Sequence, residues 1–165
     1  MCYWESTGKS DEWYTPKYIQ EAFGQDCIFD LDVAAPKEGP RYILCKDWIY
    51  EDSLAKPWSG FIWMNPPFGG RNSLKPWLDK FFTEPESGIA LTPDRTSTDW
   101  WQDAFNRSDV VLFVNHKIKF ERPDGSIGKS PSTGTTLFGK GKQARTVLFR
   151  ASRKGLGHIC VLREF

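Results

Sequence analysis

One short segment of the chain combines groups that can act on a substrate: Asn65, Pro66, Pro67 and Phe68. The two prolines remove two backbone N–H donors and hold Asn65 in an extended conformation. The side-chain oxygen of Asn65 and the carbonyl of Pro66 can then accept hydrogen bonds, and the ring of Phe68 offers a flat apolar face. This combination suits a planar molecule with an exocyclic NH2 group, such as adenine, cytosine or a primary amide. The alternative is a proline turn after which Phe68 returns to the core.

The position of this segment favours the functional interpretation. It directly follows a continuous apolar run at 61–64, which is typical of a strand covered on both faces. In an α/β sheet, ligands bind beyond the carboxyl ends of the strands. We therefore expect the four residues to line a substrate site.

Apolar periodicity predicts the helices that hold such a strand in place. Thr15 as N-cap, with Pro16 in the first turn, predicts a short helix that Gly24 ends. Apolar residues spaced three and four apart predict an amphipathic helix over 74–82. A third predicted helix buries Trp100, Trp101, Ala104 and Phe105 and is capped by Ser97 or Thr98.

The predicted strands alternate with these helices. A period of two predicts a strand over 28–34, and apolar runs predict strands at 89–91 and 110–114. Alternation of strands and helices favours an α/β fold, a mostly parallel twisted sheet with helices on both faces. The last third of the chain has no such alternation and predicts short antiparallel strands at 117–120, 135–138, 146–149 and 159–162.

Length and composition limit the remaining possibilities. A chain of 165 residues, with 39% hydrophobic and 15% aromatic content, predicts one globular domain over 1–165 and excludes a disordered or fibrous protein. No apolar run approaches the length of about 18 residues that a membrane span requires, so we expect a cytoplasmic protein. Four cysteines and two histidines without regular spacing predict no metal site.

The net charge of +1 hides a strong asymmetry along the chain. Residues 1–114 carry 11 basic and 18 acidic side chains, a net charge of −7, whereas residues 115–165 carry 11 basic and 3 acidic ones, a net charge of +8. A basic region rich in glycine, serine and threonine is suited to loops that contact a polyanion, although a solvated edge is equally compatible. The predicted contacts within 115–154 include Lys117, Lys119, Lys140, Lys142 and Arg145.

An ordered set of landmarks, with Asn65 to Phe68 among them, resembles the phage-type DNA N6-adenine methyltransferase family. The set comprises Asp-Glu-Trp-Tyr-Thr-Pro at 11–16, Phe-Asp-Leu-Asp-Val-Ala-Ala at 29–35, Asp-Ser-Leu at 52–54, Pro-Trp-Ser-Gly at 57–60, the motif segment 63–69 and Leu-Thr-Pro-Asp-Arg-Thr-Ser-Thr-Asp-Trp at 91–100. The likeness covers most of residues 11–105 and fades in the basic C-terminal third. Among these elements only Asn-Pro-Pro-Phe is specific by itself.

The resemblance implies a Rossmann-like fold and methyl transfer from S-adenosylmethionine to the N6 amine of an adenine flipped out of double-stranded DNA. It implies that the catalytic residues are Asn65, Pro66, Pro67 and Phe68. It implies that the cofactor is held by Tyr14, Thr15, Pro16, Asp30, Asp32, Asp52 and Asn65. Arg95 is then expected at the target nucleotide or a phosphate. A phage or prophage origin and a role in protection from host restriction are what the family suggests.

Other functions remain open at this point. The same acceptor site serves methylation of adenine in RNA, of cytosine N4 or of a glutamine amide. The glycine-rich turn common in such enzymes is absent near the first strand, which leaves room for an inactive nucleic-acid-binding module of the same fold. The sequence does not indicate the oligomeric state or the recognition site.

Overall fold

A computed structural model describes residues 13–69, 73–129 and 131–163 of the chain. Of the landmarks above, Asp11 and Glu12 lie outside the described residues, as do residues 70–72 that follow the Asn-Pro-Pro-Phe motif. The strands are β1 (Phe29–Asp32), β2 (Cys45–Trp48), β3 (Phe61–Met64), β4 (Ser87–Pro93), β5 (Val110–Val114), β6 (Thr135–Lys140) and β7 (Gly157–Val161). The α-helices are α1 (Lys17–Phe23), α2 (Lys75–Thr83), α3 (Asp99–Arg107) and α4 (Gly141–Arg153), with a 3-10 turn at Ser53–Ala55.

The strands form one mixed sheet in the order β2-β1-β3-β4-β6-β5-β7. Strands β1 to β4 pair in parallel, whereas β6 runs antiparallel between β4 and β5, and β7 runs antiparallel to β5. Strands β1 to β5 therefore all end at one edge of the sheet, which we call the carboxyl edge. Strands β6 and β7 begin there.

Helices cover both faces of the sheet, as predicted. Helices α1 and α4 pack on one face, where Phe23, Trp63 and Leu148 are buried in the same cluster. Helices α2 and α3 pack on the other face around Phe81 and Trp101. The strand predictions at 61–64 and 110–114 are confirmed with those bounds, and the helix predicted over 74–82 is observed as α2.

Two predictions for the C-terminal third are wrong. The run at 146–149 lies inside α4, whose buried residues Ala144, Val147, Leu148 and Ala151 follow a helical period that the β-branched and aromatic residues of the run obscure. The run at 117–120 belongs to no strand. The antiparallel strands predicted at 135–138 and 159–162 are confirmed as β6 and β7, with shifted bounds.

Candidate active site

The strand order reverses beside β1. From β1 the chain crosses to β2 on one side and then returns to β3 on the other side. Connections that leave two neighbouring strands in opposite directions open a crevice at the carboxyl edge, and ligands of α/β sheets bind there. Asp32 is the last residue of β1, and Asn65 follows β3 directly. Both side chains line this crevice.

The crevice is a cleft of about 270 Å³, including its open mouth. Its walls come from the chain before α1, the ends of β1 and β3, and the loop before β2. The lining residues are Trp13, Tyr14, Thr15, Asp32, Ala34, Pro36, Pro40, Arg41, Tyr42, Ile43, Trp63 and Asn65.

A hydrogen bond joins the two motifs that meet in the cleft. The Nδ2 of Asn65 donates to the Oγ1 of Thr15 over 3.1 Å, across 50 positions of the sequence. The bond uses the NH2 end of the Asn65 amide, so its acceptor oxygen is the end left to bind an amine. The prediction that Thr15 is the N-cap of α1 is wrong. Pro16 occupies the N-cap position, without a side-chain cap, and the Thr15 hydroxyl accepts the hydrogen bond from Asn65 instead. Gly24 ends the helix as predicted, with φ of 105°.

Replacing Thr15 with valine tests this contact. Valine keeps the shape of the side chain and removes the acceptor for Asn65, so the amide loses its fixed orientation. We expect turnover to fall about tenfold, in line with the loss of one net hydrogen bond of about 1.5 kcal/mol, with little change in the KM for the methyl-accepting substrate. The matched control is Thr146→Val on α4, whose hydroxyl donates to the Lys142 carbonyl away from the cleft. An unchanged kcat in the Thr15 variant would show that this hydroxyl does not orient Asn65.

Asp32 is a buried carboxyl group in the wall of the cleft, only 4% exposed. Its Oδ1 accepts a hydrogen bond from the backbone N–H of Ala34 over 3.1 Å. Burial raises the pKa of Asp32 to about 7, and the Ala34 bond opposes that rise only in part. Such a perturbed carboxyl in a cleft is typical of a functional site, because a ligand that donates hydrogen bonds or carries positive charge would stabilise its ionised form.

The other two predicted carboxylates differ from Asp32 in their surroundings. Asp30 forms an ion pair with Lys46 at 2.6 Å and accepts a hydrogen bond from the backbone N–H of Phe61 at 2.8 Å. The hydrogen bond from Lys46 lowers the pKa of Asp30. Neither Asp30 nor Asp52 lines the cleft. Asp52 is exposed, with a left-handed φ of 51°, at the start of the 3-10 turn. Both aspartates are candidate cofactor ligands by sequence, but only Asp32 lines the cleft in the structure.

The remaining motif residues lie at the carboxyl edge beside the cleft. Pro66 is buried and Pro67 is exposed. Phe68 is half-buried and packs edge to face against Phe120, with ring centroids 6.3 Å apart. Phe68 therefore packs against both core clusters and against Phe120, and its ring remains partly exposed. No pattern in the sequence indicates this role of Phe120.

Arg41 is a second residue that sequence reasoning missed. Its guanidinium lies 4.1 Å from the centroid of the Tyr14 ring and donates to the Glu121 carboxylate at 3.2 Å and to the Pro123 carbonyl at 2.8 Å. Tyr14 and Glu121 also exchange backbone hydrogen bonds of 2.9 and 3.1 Å. One wall of the cleft is thereby fixed to the segment that follows β5. A lone arginine in a loop carries no sequence signal for such a contact.

The predicted basic contacts divide between the two edges of the sheet. Arg95 follows β4, and Lys117 and Lys119 follow β5, so these three lie at the carboxyl edge, where both lysines are exposed. Lys140 ends β6 at the opposite edge, roughly 17 Å from Thr135 at the strand's start, given a rise of about 3.3 Å per residue.

The C-terminal members of the predicted set do not share a surface with Asn65. Lys140 donates its ammonium protons to the carbonyls of Phe82 and Pro85, at 3.0 and 2.5 Å. Lys142 and Arg145 lie in the first turns of α4, which begins at that far edge, and Arg145 donates to the Arg163 carbonyl at 3.2 Å. The sequence predicted loops in this part of the basic region, but Lys140 lies in β6 and Lys142 and Arg145 lie in α4, so the loop prediction is wrong for these three residues.

Within the three described ranges, no group of three or more histidine, cysteine, aspartate or glutamate side chains is arranged to hold a metal ion. In the same ranges, no helix combines the length and apolar character needed to cross a membrane.

Comparison with known protein families gives a match over nearly the whole chain. A sequence model described as DNA N-6-adenine-methyltransferase (Dam) matches residues 5–161, which include the cleft and the motif at Asn65. No curated protein and no solved structure matches the chain.

Proposed function

The chain belongs to the DNA N-6-adenine-methyltransferase (Dam) family, and from that premise we propose that it transfers the methyl group of S-adenosylmethionine to the N6 amine of an adenine flipped out of double-stranded DNA. The observation that carries the proposal is the position of Asn65 beside the buried carboxyl of Asp32 in a cleft where the strand order reverses. We further propose that residues 1–165 act as one domain in the cytoplasm of a bacterial host, with a phage or prophage origin and a role in protection from host restriction.

We also propose that the sheet is of the Rossmann-like methyltransferase type. Parallel strands β1 to β4, helices on both faces and the reversal beside β1 support that assignment. The sheet departs from a fully parallel one through β6 and β7, which run the opposite way.

The groups in the cleft suit S-adenosylmethionine. This ligand combines a charged amino-acid end, ribose hydroxyls and an adenine, and when bound it supplies an electrophilic methyl group. The buried carboxyl of Asp32 suits hydroxyl or ammonium donors, and Thr15, Tyr14 and the Asn65 amide add polar groups to the same walls. We assign cofactor binding to these four residues, with Pro16 beside them. Asp52, which lies outside the cleft, remains a candidate to accept a hydrogen bond from the amine of the cofactor's adenine.

Catalysis is assigned to the rim of the cleft. An adenine amine is a poor nucleophile because its lone pair is delocalised into the ring. The Asn65 Oδ1 and the Pro66 carbonyl accept hydrogen bonds from the two amine protons, which favours a pyramidal nitrogen with an available lone pair. Phe68, supported by Phe120, stacks on the flipped base. The nitrogen would gain the methyl group as the carbon–sulfur bond of the sulfonium breaks, leaving a neutral thioether, and would lose one proton to solvent, so no cysteine or serine nucleophile is needed.

The DNA backbone is assigned to the carboxyl edge, next to the flipped base. Lys117 and Lys119 are exposed on either side of the buried Ile118, which fixes the segment that carries them. Arg95 lies at the end of β4 on the same edge. Lys140, Lys142 and Arg145 are left out of this contact, because they lie at the far edge.

Charge reversal at the two edges tests this assignment. We expect Lys117→Glu combined with Lys119→Glu to weaken DNA binding and to reduce the slope of log affinity against log salt by about 2, since each phosphate contact contributes about 0.9. Lys142→Glu combined with Arg145→Glu makes the same change in charge at the far edge and is expected to leave the slope unaltered. Fluorescence anisotropy with a labelled duplex over a salt series measures both. A reduced slope in the Lys142 and Arg145 variant, with an unaltered slope in the Lys117 and Lys119 variant, would show that DNA binds at the far edge.

The proposed activity is tested by product analysis. The purified chain and methyl-labelled S-adenosylmethionine are incubated in three separate reactions, one with unmethylated genomic DNA, one with total RNA and one with a protein extract. We expect label in N6-methyladenine from DNA. Label in N4-methylcytosine, in RNA or in glutamine would support one of the alternative substrates instead, and DNA binding without any transfer would indicate an inactive module.

A further inference from the structure

β2 and β7 are the outermost strands of the sheet. In the part of the chain that the structure describes, each pairs with another strand on one side only. The unpaired side of such a strand can bind any other extended chain, and proteins protect it with charged residues or proline. β2 carries Lys46 and Asp47, whereas β7 has the sequence Gly-His-Ile-Cys-Val, with no lysine, arginine, carboxylate or proline. The unpaired side of β7, which we call the free side, is therefore unprotected.

Hydrogen bonds beside the two ends of β7 show which of its backbone groups point to the free side. The Asn115 N–H donates to the Leu156 carbonyl over 2.8 Å, and the Leu162 N–H donates to the Asp109 carbonyl over 3.0 Å. Bonding alternates along an antiparallel pair, so every second residue from Leu156 to Leu162 directs its N–H and C=O to β5. The residues between them direct these groups to the free side.

The residues that point to the free side are Gly157, Ile159 and Val161. Gly157 is buried, and its carbonyl accepts a hydrogen bond from the Ser152 hydroxyl over 2.8 Å. Ile159 is half-buried and Val161 is exposed, and among the described residues no strand lies beside them on this side. These two residues are therefore the part of β7 that is open to pairing.

Apolar side chains flank the free side on the face of the sheet that α4 covers. Val161 is 38% exposed, and Ile159 packs at the margin of the core cluster beneath α4. Phe149 of α4 is 36% exposed. Its neighbours on the helix, Arg145 and Ser152, donate to backbone carbonyls near the two ends of β7, so Phe149 lies beside the strand. The free side thus combines open backbone groups with a small apolar surface.

We propose that a second copy of the chain pairs antiparallel with the free side of β7, so that the two sheets become one. A twofold axis at Cys160 pairs Ile159 of each copy with Val161 of the other. Each such pair exchanges two backbone hydrogen bonds, and the exposed Val161 side chain packs on Ile159 across the interface. This register uses only the two open residues, whereas a register centred on Ile159 would require the buried Gly157.

A second copy is favoured over another protein because the two outermost strands differ in protection. Pairing through β7 covers the unprotected strand of both copies and leaves the two β2 strands, with Lys46 and Asp47, at the outside of the combined sheet. The twofold axis closes the assembly at two copies. No lysine, arginine or carboxylate of β7 meets its like across the axis.

The dimer does not depend on the proposed function. Antiparallel pairing directs the carboxyl edges of the two copies in opposite directions, so both clefts stay open. The charged side chains that flank β7 are mostly basic: Arg145, Arg153, Lys154 and Arg163, the last paired with Asp109. Because salt screens their repulsion, we expect salt to strengthen the dimer, the opposite of its effect on DNA binding.

Sedimentation equilibrium of the nucleic-acid-free chain under reducing conditions tests the dimer. We expect twice the monomer mass at high concentration. Val161→Lys places a charge where the second copy would cover it, so the dissociation constant should rise at least about tenfold. The matched control is Leu44→Lys, because Leu44 is similarly exposed and directly precedes β2. Its dissociation constant should stay within about twofold of wild type.

Oxidative cross-linking tests the register. The axis places the two Cys160 residues opposite each other with Cα atoms about 4.5 Å apart, within the range for a disulfide. Mass spectrometry of the oxidised dimer should find peptides joined through Cys160. Cys160→Ser should abolish that link and leave the sedimentation result unchanged. The matched control is Cys45→Ser, since Cys45 is half-buried on β2, and this variant should keep the link.

A chain that stays monomeric at every concentration would overturn the proposal, as would a dimer that Val161→Lys leaves intact or that salt weakens. A dimer without links through Cys160, or with links through Cys45 in their place, would overturn it as well, because the interface would lie elsewhere. Failure of methyl transfer to DNA would leave the dimer unaffected and would count against the proposed function alone.

Discussion

Replacing Asn65 with alanine is expected to reduce methyl transfer to DNA at least about a hundredfold, the scale on which single polar groups at a reacting centre act. The variant loses the side-chain oxygen that accepts an amine proton, so the nitrogen keeps its lone pair in the ring. Binding of S-adenosylmethionine should weaken far less, because Asp32 and Thr15 remain in the cleft. Steady-state kinetics on unmethylated DNA and calorimetric titration with the cofactor measure the two effects.

The matched control is Asn115→Ala. Asn115 also follows a strand at the carboxyl edge, β5, but its Nδ2 donates to the Gly155 carbonyl at 3.2 Å, and its side chain does not line the cleft. We expect near wild-type turnover. Equal turnover in the two variants, whether both are active or both inactive, would remove the catalytic role of Asn65.

Replacing Asp32 with asparagine is expected to weaken cofactor binding at least about tenfold, since hydrogen bonds to a charged group contribute about 1.5–3 kcal/mol. The same variant should be more stable than wild type at pH 8. The pKa of Asp32 is about 7 in the folded protein and ordinary when unfolded, so the folded state holds its proton more tightly. The contribution of Asp32 to the free energy of unfolding is therefore greatest below about pH 4. This contribution falls by about 4 kcal/mol as the pH rises to 7.

Melting temperatures across pH 5 to 8 measure this effect. The gap between Asp32→Asn and wild type should widen with rising pH, while cofactor binding to wild type should strengthen as Asp32 ionises. The control is Asp30→Asn, in which the Lys46 pair, not the cleft, is altered. We expect its cofactor affinity to stay within twofold. A tenfold loss there, with none in Asp32→Asn, would reverse the assignment of the two carboxylates.

The local patterns around the motif were sufficient to predict much of the architecture. The apolar runs at 61–64 and 110–114 are buried strands because they are uniformly apolar, and β3 then brings Asn65 to the carboxyl edge. The overlooked elements carry weaker signals. β2 is a short, mostly exposed edge strand with charged residues, and α4 places threonine, valine and phenylalanine at 146–149 on an amphipathic helix.

The contacts that build the site were not accessible from sequence, because they join distant segments. Asp30 and Asp32 are both aspartates in the alternating pattern of β1, and the burial of Asp32 and the ion pair of Asp30 with Lys46 distinguish them only in the structure. The bond between Thr15 and Asn65 spans 50 positions. Arg41 and Phe120 act through residues far away in the chain, so no local pattern marks them. Net charge likewise does not indicate which edge of a sheet a lysine occupies, so the sequence did not divide the basic residues between the two edges.

The central claim is that the cleft between β1 and β3 holds the methyl donor with its reactive end toward Asn65. The most direct measurement is a crystal structure of the chain soaked with S-adenosylmethionine. We predict density between Asp32 and Asn65, with the ribose or amino-acid end at the carboxylate and the sulfonium methyl facing the Asn65 oxygen and the Pro66 carbonyl. Density at another part of the carboxyl edge, or in this cleft with the methyl directed away from Asn65, would contradict the account.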